Sequence, residues 1–497
     1  MKTKIIIGLG IIVLILSGIF TFSISKYYQN NIQNKQEEIK INKNNNKKDG
    51  KQETNSQSEE MKQQLKDEQA TNREKEINAD KKTEIKSALD RFLLSIYNPP
   101  YAWRYGPYRD KDFDYYQKAG FDNFLWARDE AKLMEKIHKY HFKYFLNVRA
   151  LFPEEGPGNI DYLRGVKNPD EDNETYNVRP AVVPEVLLKK LDILVDKYKD
   201  DPDLIGYWIC DEPFPSAYKN IAKVIERIRQ KDPKHYSLVN IGDNEYTTEK
   251  NIDKFLEITK AKVLCFDRYN FFNGFDRNRQ FLQLLGMIRQ KALEYNIPFY
   301  GFVQAVGTNG TSASELDWRT PNLNEMRWLA YHMLTYGAKG LLWFHWDAED
   351  WGVIQNPARN KIYINLQKVN KEIKSLGDMM ANLKTVDVYQ VKGEKIIGQR
   401  KEGDKKFIYP VDNKTSLTVG MFSRNDGKEY FMLTNTSYRT SVNSEIKILK
   451  AINGLEAFNI ETKKWETINI NANSDNTTFM LELEKGSGKL FREKMEF

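Results

Sequence analysis

Leu204-Ile205-Gly206-Tyr207-Trp208-Ile209-Cys210-Asp211-Glu212-Pro213 is the stretch on which the reading of this chain turns. An apolar run rich in Ile, Tyr and Trp has the composition of a buried strand. It stops at two acids and at Pro213, which has no N–H to give a ladder. Helical patterns lie on both sides, over 183–198 and over 220–230, where Ile221, Ile225 and Ile228 mark one face. A buried strand between helices is one unit of a parallel α/β fold.

The same unit recurs along the chain. Short apolar runs stand at 92–97, 121–127, 142–148, 204–210, 236–241, 263–267, 298–306 and 340–346, with further helical patterns over 277–295 and 324–336. Eight strand–helix units of this size fit a closed (β/α)8 barrel. A doubly wound open sheet would bring a Gly-rich phosphate loop after its first strand, and none follows 92–97. Beyond residue 385 the helical period gives way to short strands at 416–421, 429–434, 446–449 and 479–483, separated by Asn, Asp and Gly turns. That pattern predicts an antiparallel β-sandwich.

Upstream of the barrel the texture differs. Residues 5–24 form an uncharged run long enough to span a bilayer core as a helix, preceded by Lys2 and Lys4. The positive-inside rule then holds the N-terminus in the cytoplasm and places the body outside. An uncleaved signal-anchor is the expectation, with a cleaved signal peptide and a secreted body as the alternative. Residues 27–85 are dominated by Asn, Gln, Lys and Glu. Such a segment buries too little surface to offset its chain entropy and reads as a disordered stalk. The expected organisation is a membrane anchor over 1–26, the stalk over 27–85, the barrel over 86–384 and the sandwich over 385–497.

Composition excludes several function classes. The net charge of +7 includes three from Lys2, Lys4 and Lys26 and nothing from 27–85, which leaves +4 on the body. That is no footprint for nucleic acid. Cys210 and Cys265 are too few for a disulfide framework or a zinc cluster and read as buried apolar side chains. No cofactor or metal is expected: His345 stands alone at a strand end, without a second ligand at metal spacing.

Barrel chemistry collects at the C-terminal ends of the strands. Strand four ends in Asp211 and Glu212, strand six in Asp267-Arg268-Tyr269 and strand eight in Trp343-Phe344-His345-Trp346-Asp347. Strict alternation puts Cys210 and Glu212 on one face, and Cys265 and Asp267 on one face. With both faces inward, Glu212 and Asp267 meet above a floor containing the two cysteines. A facing carboxyl pair supplies an acid with a base or nucleophile, which is what glycoside hydrolysis needs. The purely structural alternative pairs each acid with an arginine, such as Arg149 or Arg268. Arg149, Asn240, Gln304 and Trp346 are expected to position sugar hydroxyls and faces. Tyr269, Trp343, His345 and Asp347 complete the expected substrate-binding set, and Tyr101 and Trp351 are further aromatics near strand ends.

Gly206 through Pro213, with Lys231-Asp232-Pro233 after the following helix, resembles the fourth strand of (β/α)8-barrel glycoside hydrolases. So do Leu329-Ala330-Tyr331 and Tyr336-Gly337-Ala338-Lys339-Gly340, and so does the C-terminal run Leu481-Glu482-Leu483 with Gly486-Ser487-Gly488-Lys489-Leu490-Phe491. The resemblance covers roughly 90–497, is specific for the superfamily rather than one family, and implies hydrolysis of O-glycosyl bonds. In the large retaining clan an Asn precedes the strand-four acid and strand seven ends in a nucleophilic Glu. Here Asp211 and Gln304 stand at those places, and an amide is no nucleophile. Asp211-Glu212 with Asp267 is closer to chitinase-like and hexosaminidase-like barrels, where an Asp orients the substrate's acetamido group. The resulting expectation is a membrane-anchored extracellular glycosidase acting on a polysaccharide, a cell-surface glycan among the candidates, with Glu212, Asp267 and Asp211 catalytic. The alternative is a glycan-binding surface protein on a barrel that no longer catalyses, and a lyase or transglycosylase would use the same residues.

Overall fold

The computed structural model describes residues 91–100, 108–152, 161–165, 182–244, 246–308, 317–346, 352–354, 359–397, 407–425 and 427–494. All belong to one compact unit, Lys81–Phe497. The expected anchor and stalk lie outside the described residues, as do Tyr101, Asp347 and Trp351. Among the described residues no helix is long and apolar enough to cross a membrane.

Eight parallel strands form the first sheet: β1 (Leu93–Ile96), β2 (Asn123–Ala127), β3 (Lys143–Asn147), β4 (Leu204–Asp211), β5 (Tyr236–Ile241), β6 (Leu264–Arg268), β7 (Phe299–Gln304) and β8 (Gly340–Phe344). Their order, β1-β8-β7-β6-β5-β4-β3-β2, is that of a barrel. Between and after them run α1 (Asp110–Lys118), α2 (Ala131–Lys139), α3 (Glu185–Tyr198), α4 (Tyr218–Lys231), α5 (Glu249–Thr259), α6 (Asn278–Glu294), α7 (Leu323–Thr335) and α8 (Arg359–Met380). Phe145, Trp208, Leu238, Cys265, Tyr300, Phe302 and Leu342 fill the interior, while a separate apolar layer packs the strands against the helices. The expected eight strands are therefore present, and the fold is a (β/α)8 barrel followed by antiparallel sheets.

The barrel closes between β1 and β2 without a backbone ladder. Side chains do the joining. Ser95 Oγ donates to the Asn123 carbonyl at 2.8 Å, Asn123 Nδ2 to the Leu94 carbonyl at 3.3 Å, and Tyr116 OH to the Asn123 carbonyl at 2.7 Å.

Strand β4 departs from strict alternation. Its register against β5 slips between Trp208, opposite Leu238, and Cys210, opposite Val239. One extra residue reverses every later side chain, as a β-bulge must. Trp208 points into the barrel, Cys210 joins the outer layer with Ile209, and Asp211 turns inward beside Asn240. The expected floor of two cysteines is thus corrected: Cys265 lies inside the barrel, and Cys210 does not.

After α8 come a seven-stranded and a four-stranded antiparallel sheet. The first orders as β10 (Lys395–Ile397), β9 (Lys384–Lys392), β12 (Ser416–Ser423), β13 (Glu429–Asn435), β19 (Gly488–Glu493), β15 (Leu455–Asn459) and β16 (Lys464–Ile468). The second holds β11 (Ile408–Pro410), β14 (Val442–Ile448), β18 (Thr477–Leu483) and β17 (Asn471–Ala472). Val391, Leu433, Ile446, Leu481 and Phe491 contribute to the core between them. The larger sheet also packs on α7, whose first turn is fixed by a capping box of Asn322 and Glu325. There His332 Nε2 meets Thr418 Oγ1 at 3.0 Å, and Thr335 Oγ1 meets Thr434 Oγ1 at 2.6 Å.

Candidate active site

Strands β4, β5 and β6 bring three carboxyls and an amide together at the C-terminal end of the barrel. Asn240, at the end of β5, is buried and donates through Nδ2 to Asp211 Oδ1 and to Asp267 Oδ2, each at 2.9 Å. Tyr97, just past β1, donates its hydroxyl to Asp211 Oδ2 at 3.0 Å. The Asp243 N–H donates to Asp267 Oδ1 at 2.9 Å, and the Asp243 carboxylate is ion-paired with Arg268.

Glu212 arrives by a different device from alternation. Its backbone is left-handed, with φ of 47°, a conformation uncommon for a side-chain-bearing residue. Its N–H donates to the Asn240 carbonyl at 2.9 Å, so the kink is tied to β5. The side chain then lies over Gly242, and its carboxyl comes within hydrogen-bonding reach of Asp267. The Arg164 guanidinium stands 3.6 Å from Glu212 Oε2.

Crowding three acids in a largely buried place has an electrostatic result. Burial, and then the neighbouring charges of Glu212 and Asp211, push the Asp267 carboxyl far above the usual carboxylate range. Burial and the Glu212 charge push Asp211 up to about 6. Such crowding favours the protonated forms of Asp267 and Asp211, Asp267 above all. Glu212 is the accessible member, with its side chain 38% exposed, whereas Asp267 is 4% exposed.

Aromatic rings face the acids. Tyr97 packs on Trp126 with centroids 4.3 Å apart and on Phe344 at 5.2 Å, and Tyr269 packs on Phe344 and on Trp318, each at 4.8 Å. Burial and the nearby carboxylates raise the Tyr269 phenol, keeping it neutral.

Of the residues expected from sequence, Glu212, Asp267, Asp211, Asn240 and Tyr269 come together. Others do not join them. Arg149 is ion-paired with Asp161 and reaches the Phe152 carbonyl at 3.4 Å. The Gln304 side chain is engaged by backbone on every side: its Oε1 accepts from Phe271 N–H at 2.9 Å. Its Nε2 donates to the carbonyls of Arg319, Phe271 and Val306 at 2.8, 3.1 and 3.2 Å. Trp343 points into the outer layer, where its Nε1 donates to Asn370 Oδ1 at 2.8 Å, and Trp346 packs there on Tyr116. His345 is buried with its ring against Phe344.

Tyr97, Trp126, Phe344, Trp318 and Arg164 were not anticipated as site residues. Alternation carried a signal for two of them, since Tyr97 and Phe344 follow the inward Leu93–Ser95 and Leu342 at a period of two. Trp343 stands near a strand end, as expected of a stacking ring, but its parity points outward. Arg164 and Trp318 lie on loops and had no such signal.

No family model matches the chain, and no curated protein matches it. Among solved structures, a glycoside hydrolase family 5 protein from Bacteroides vulgatus matches with a TM-score of 0.51 and 12% identity, over 81% of this chain and 88% of that one. An α-amylase from Malbranchea cinnamomea matches with a TM-score of 0.45 and 10% identity, over 82% of this chain and 97% of that one. A glucosidase from Croceicoccus marinus gives 0.37 and 10%, over 82% and 96%. The chain shares with the family 5 protein the architecture of a (β/α)8 barrel followed by antiparallel sheets, and no family is identified. At these identities the likeness is one of fold.

Proposed function

We propose that this protein is an extracellular glycoside hydrolase, held at the cell membrane by residues 5–24, that cleaves glycosidic bonds of a polysaccharide. The observation that carries the reading is the Glu212–Asp267 carboxyl contact at the C-terminal end of the barrel strands, faced by a wall of aromatic rings. Sugar faces stack on such rings, and the acids stand where barrel enzymes act.

Glu212, as the accessible member, protonates the glycosidic oxygen. Asp267 shares its proton at rest and carries negative charge toward the oxocarbenium centre once Glu212 has turned to the substrate. Asn240 and Tyr97 hold the acids in orientation through donated hydrogen bonds, and Asp211 contributes a third carboxyl to the charge balance.

A second reading has an observation of its own. Asp211 is turned inward by the β4 bulge, next to Glu212, and Gln304 is an amide engaged by backbone. An acid beside the proton donor, with no carboxylate on β7, suits an acetamido sugar whose own carbonyl attacks the anomeric carbon. Cleavage confined to sugars without acetamido groups would remove that reading.

The test is release of new reducing ends from a panel of bacterial surface and host glycans, with Glu212→Gln as control. The expected outcome is turnover by the native protein and a loss of about 10²–10⁴-fold in the variant, with folding and glycan binding retained. Binding by both proteins with release by neither would instead identify a non-catalytic glycan-binding protein.

A further inference from the structure

We infer that Arg164 is a positioning residue of the acid pair, held at Glu212 by a short segment that the outward-turned Cys210 fastens to β4. The inference rests on the reading of Glu212 and Asp267 as the reacting carboxyls.

Residues 161–165 are tied down along their whole length. Asp161 is ion-paired with Arg149 and accepts through Oδ1 from the N–H groups of Leu163 at 3.0 Å and Arg164 at 2.8 Å. Asn220 of α4 donates to the Tyr162 carbonyl at 3.0 Å, and Cys210 Sγ donates to the Leu163 carbonyl at 3.0 Å. The Arg164 carbonyl accepts from Phe214 N–H at 2.7 Å. Gly165 has φ of +78°, and a Cβ there would run into Ser216 Oγ and stand 3.0 Å from Ala217 N. These contacts anchor the segment to both ends of the β4–α4 connection. The bulge that turns Asp211 into the site also turns Cys210 out to make one of them.

A half-exposed ion pair adds little to stability, so that is a poor explanation for so many fastenings. Its charge bears instead on the acids it faces. The groups facing Glu212 are Asp211 on its own strand, Asp267 and Tyr269 from β6, and Arg164 from the segment, with Tyr97 and the Asp243–Arg268 pair one contact further. Among the described residues Arg164 is the cation that pairs with Glu212. A fixed cation beside a carboxyl favours its ionised form, and Arg164 stands at the open side of the acid pair.

The experiment is carbodiimide labelling of Glu212 with an amine, read by peptide mass spectrometry across pH on the full-length protein. Only the protonated carboxyl reacts, and no turnover is needed. Arg164→Gln should move the half-labelling pH of Glu212 upward by a few tenths of a unit, and Arg164→Lys should restore most of it. Gly165→Ala, which displaces the segment while keeping the arginine, should shift it the same way. Where turnover is measured, the basic limb of the kcat profile should follow, with KM little changed. An unchanged midpoint in Arg164→Gln, or a shift that lysine does not reverse, would overturn the inference and leave the hydrolase reading standing. Full turnover by Glu212→Gln would remove that reading without altering the labelling result.

Discussion

Glu212 lies directly against Gly242: a Cβ added to Gly242 would stand 2.7 Å from Glu212 Cγ and 2.9 Å from its Cδ. The glycine is there for space. Gly242→Ala should therefore push the Glu212 carboxyl off Asp267 without disturbing the core. Turnover should fall by about tenfold to a hundredfold, because misplacing a reacting group by about 1 Å has that effect. The melting temperature should barely move. Steady-state kinetics beside thermal unfolding checks both halves.

Asp211 makes a prediction about stability. Its folded value of about 6 lies above its usual 3.8, so the fold favours the protonated acid. Its contribution is complete below pH 3.8 and is lost as pH rises through 6. Asp211→Asn mimics the protonated form. It should raise unfolding free energy at pH 8 by on the order of 2 kcal/mol relative to the native chain, and by nearly nothing at pH 3.5. Denaturant unfolding at the two pH values is the measurement.

Gln304 invites the idea that a glutamate would create a nucleophile on β7. The opposite outcome is expected. Three carbonyls accept from its Nε2, and a carboxylate would present oxygen to all three. Gln304→Glu should lower stability by about 3 kcal/mol or more and raise turnover on no substrate.

His332 links the barrel to the larger sandwich sheet as a neutral ring. Burial lowers it to about 4 from its usual 6.5. The unfolded chain takes up a proton first, so stability is full above pH 6.5 and falls as pH drops toward 4. The loss should reach on the order of 3 kcal/mol, and His332→Gln should flatten that part of the stability profile.

What sequence could and could not convey separates cleanly along β4. Its apolar run, its proline stop and its neighbouring helices mark a buried strand, and the eight repeats of that unit are enough for a barrel. Alternation also places Asp267 and Asn240 correctly, because β5 and β6 keep their period. It fails at Ile209, where an inserted residue leaves no trace in composition. From there Cys210 and Asp211 exchange faces, and Glu212 reaches the site through a left-handed backbone. Gln304 and Arg149 fail for another reason. Both stand at strand ends, yet their polar atoms are taken by loop backbone and by Asp161, partners that the local pattern of the strand does not reveal. Residue type announces capacity to bind, and only the fold reveals whether that capacity is already occupied.

The side-chain closure between β1 and β2 bears on how the mouth can deform. Tyr97 follows β1 and Trp126 lies on β2, so the aromatic wall straddles the joint that has no ladder. Asp211, Asn240 and Asp267 stand on β4, β5 and β6, which are bonded to one another through their backbones. A hoop with one compliant joint changes its circumference there first. A change of circumference at Ser95 and Asn123 would leave the backbone pairing of β4, β5 and β6 intact and would reach the acids only through the hydrogen bond of Tyr97 to Asp211.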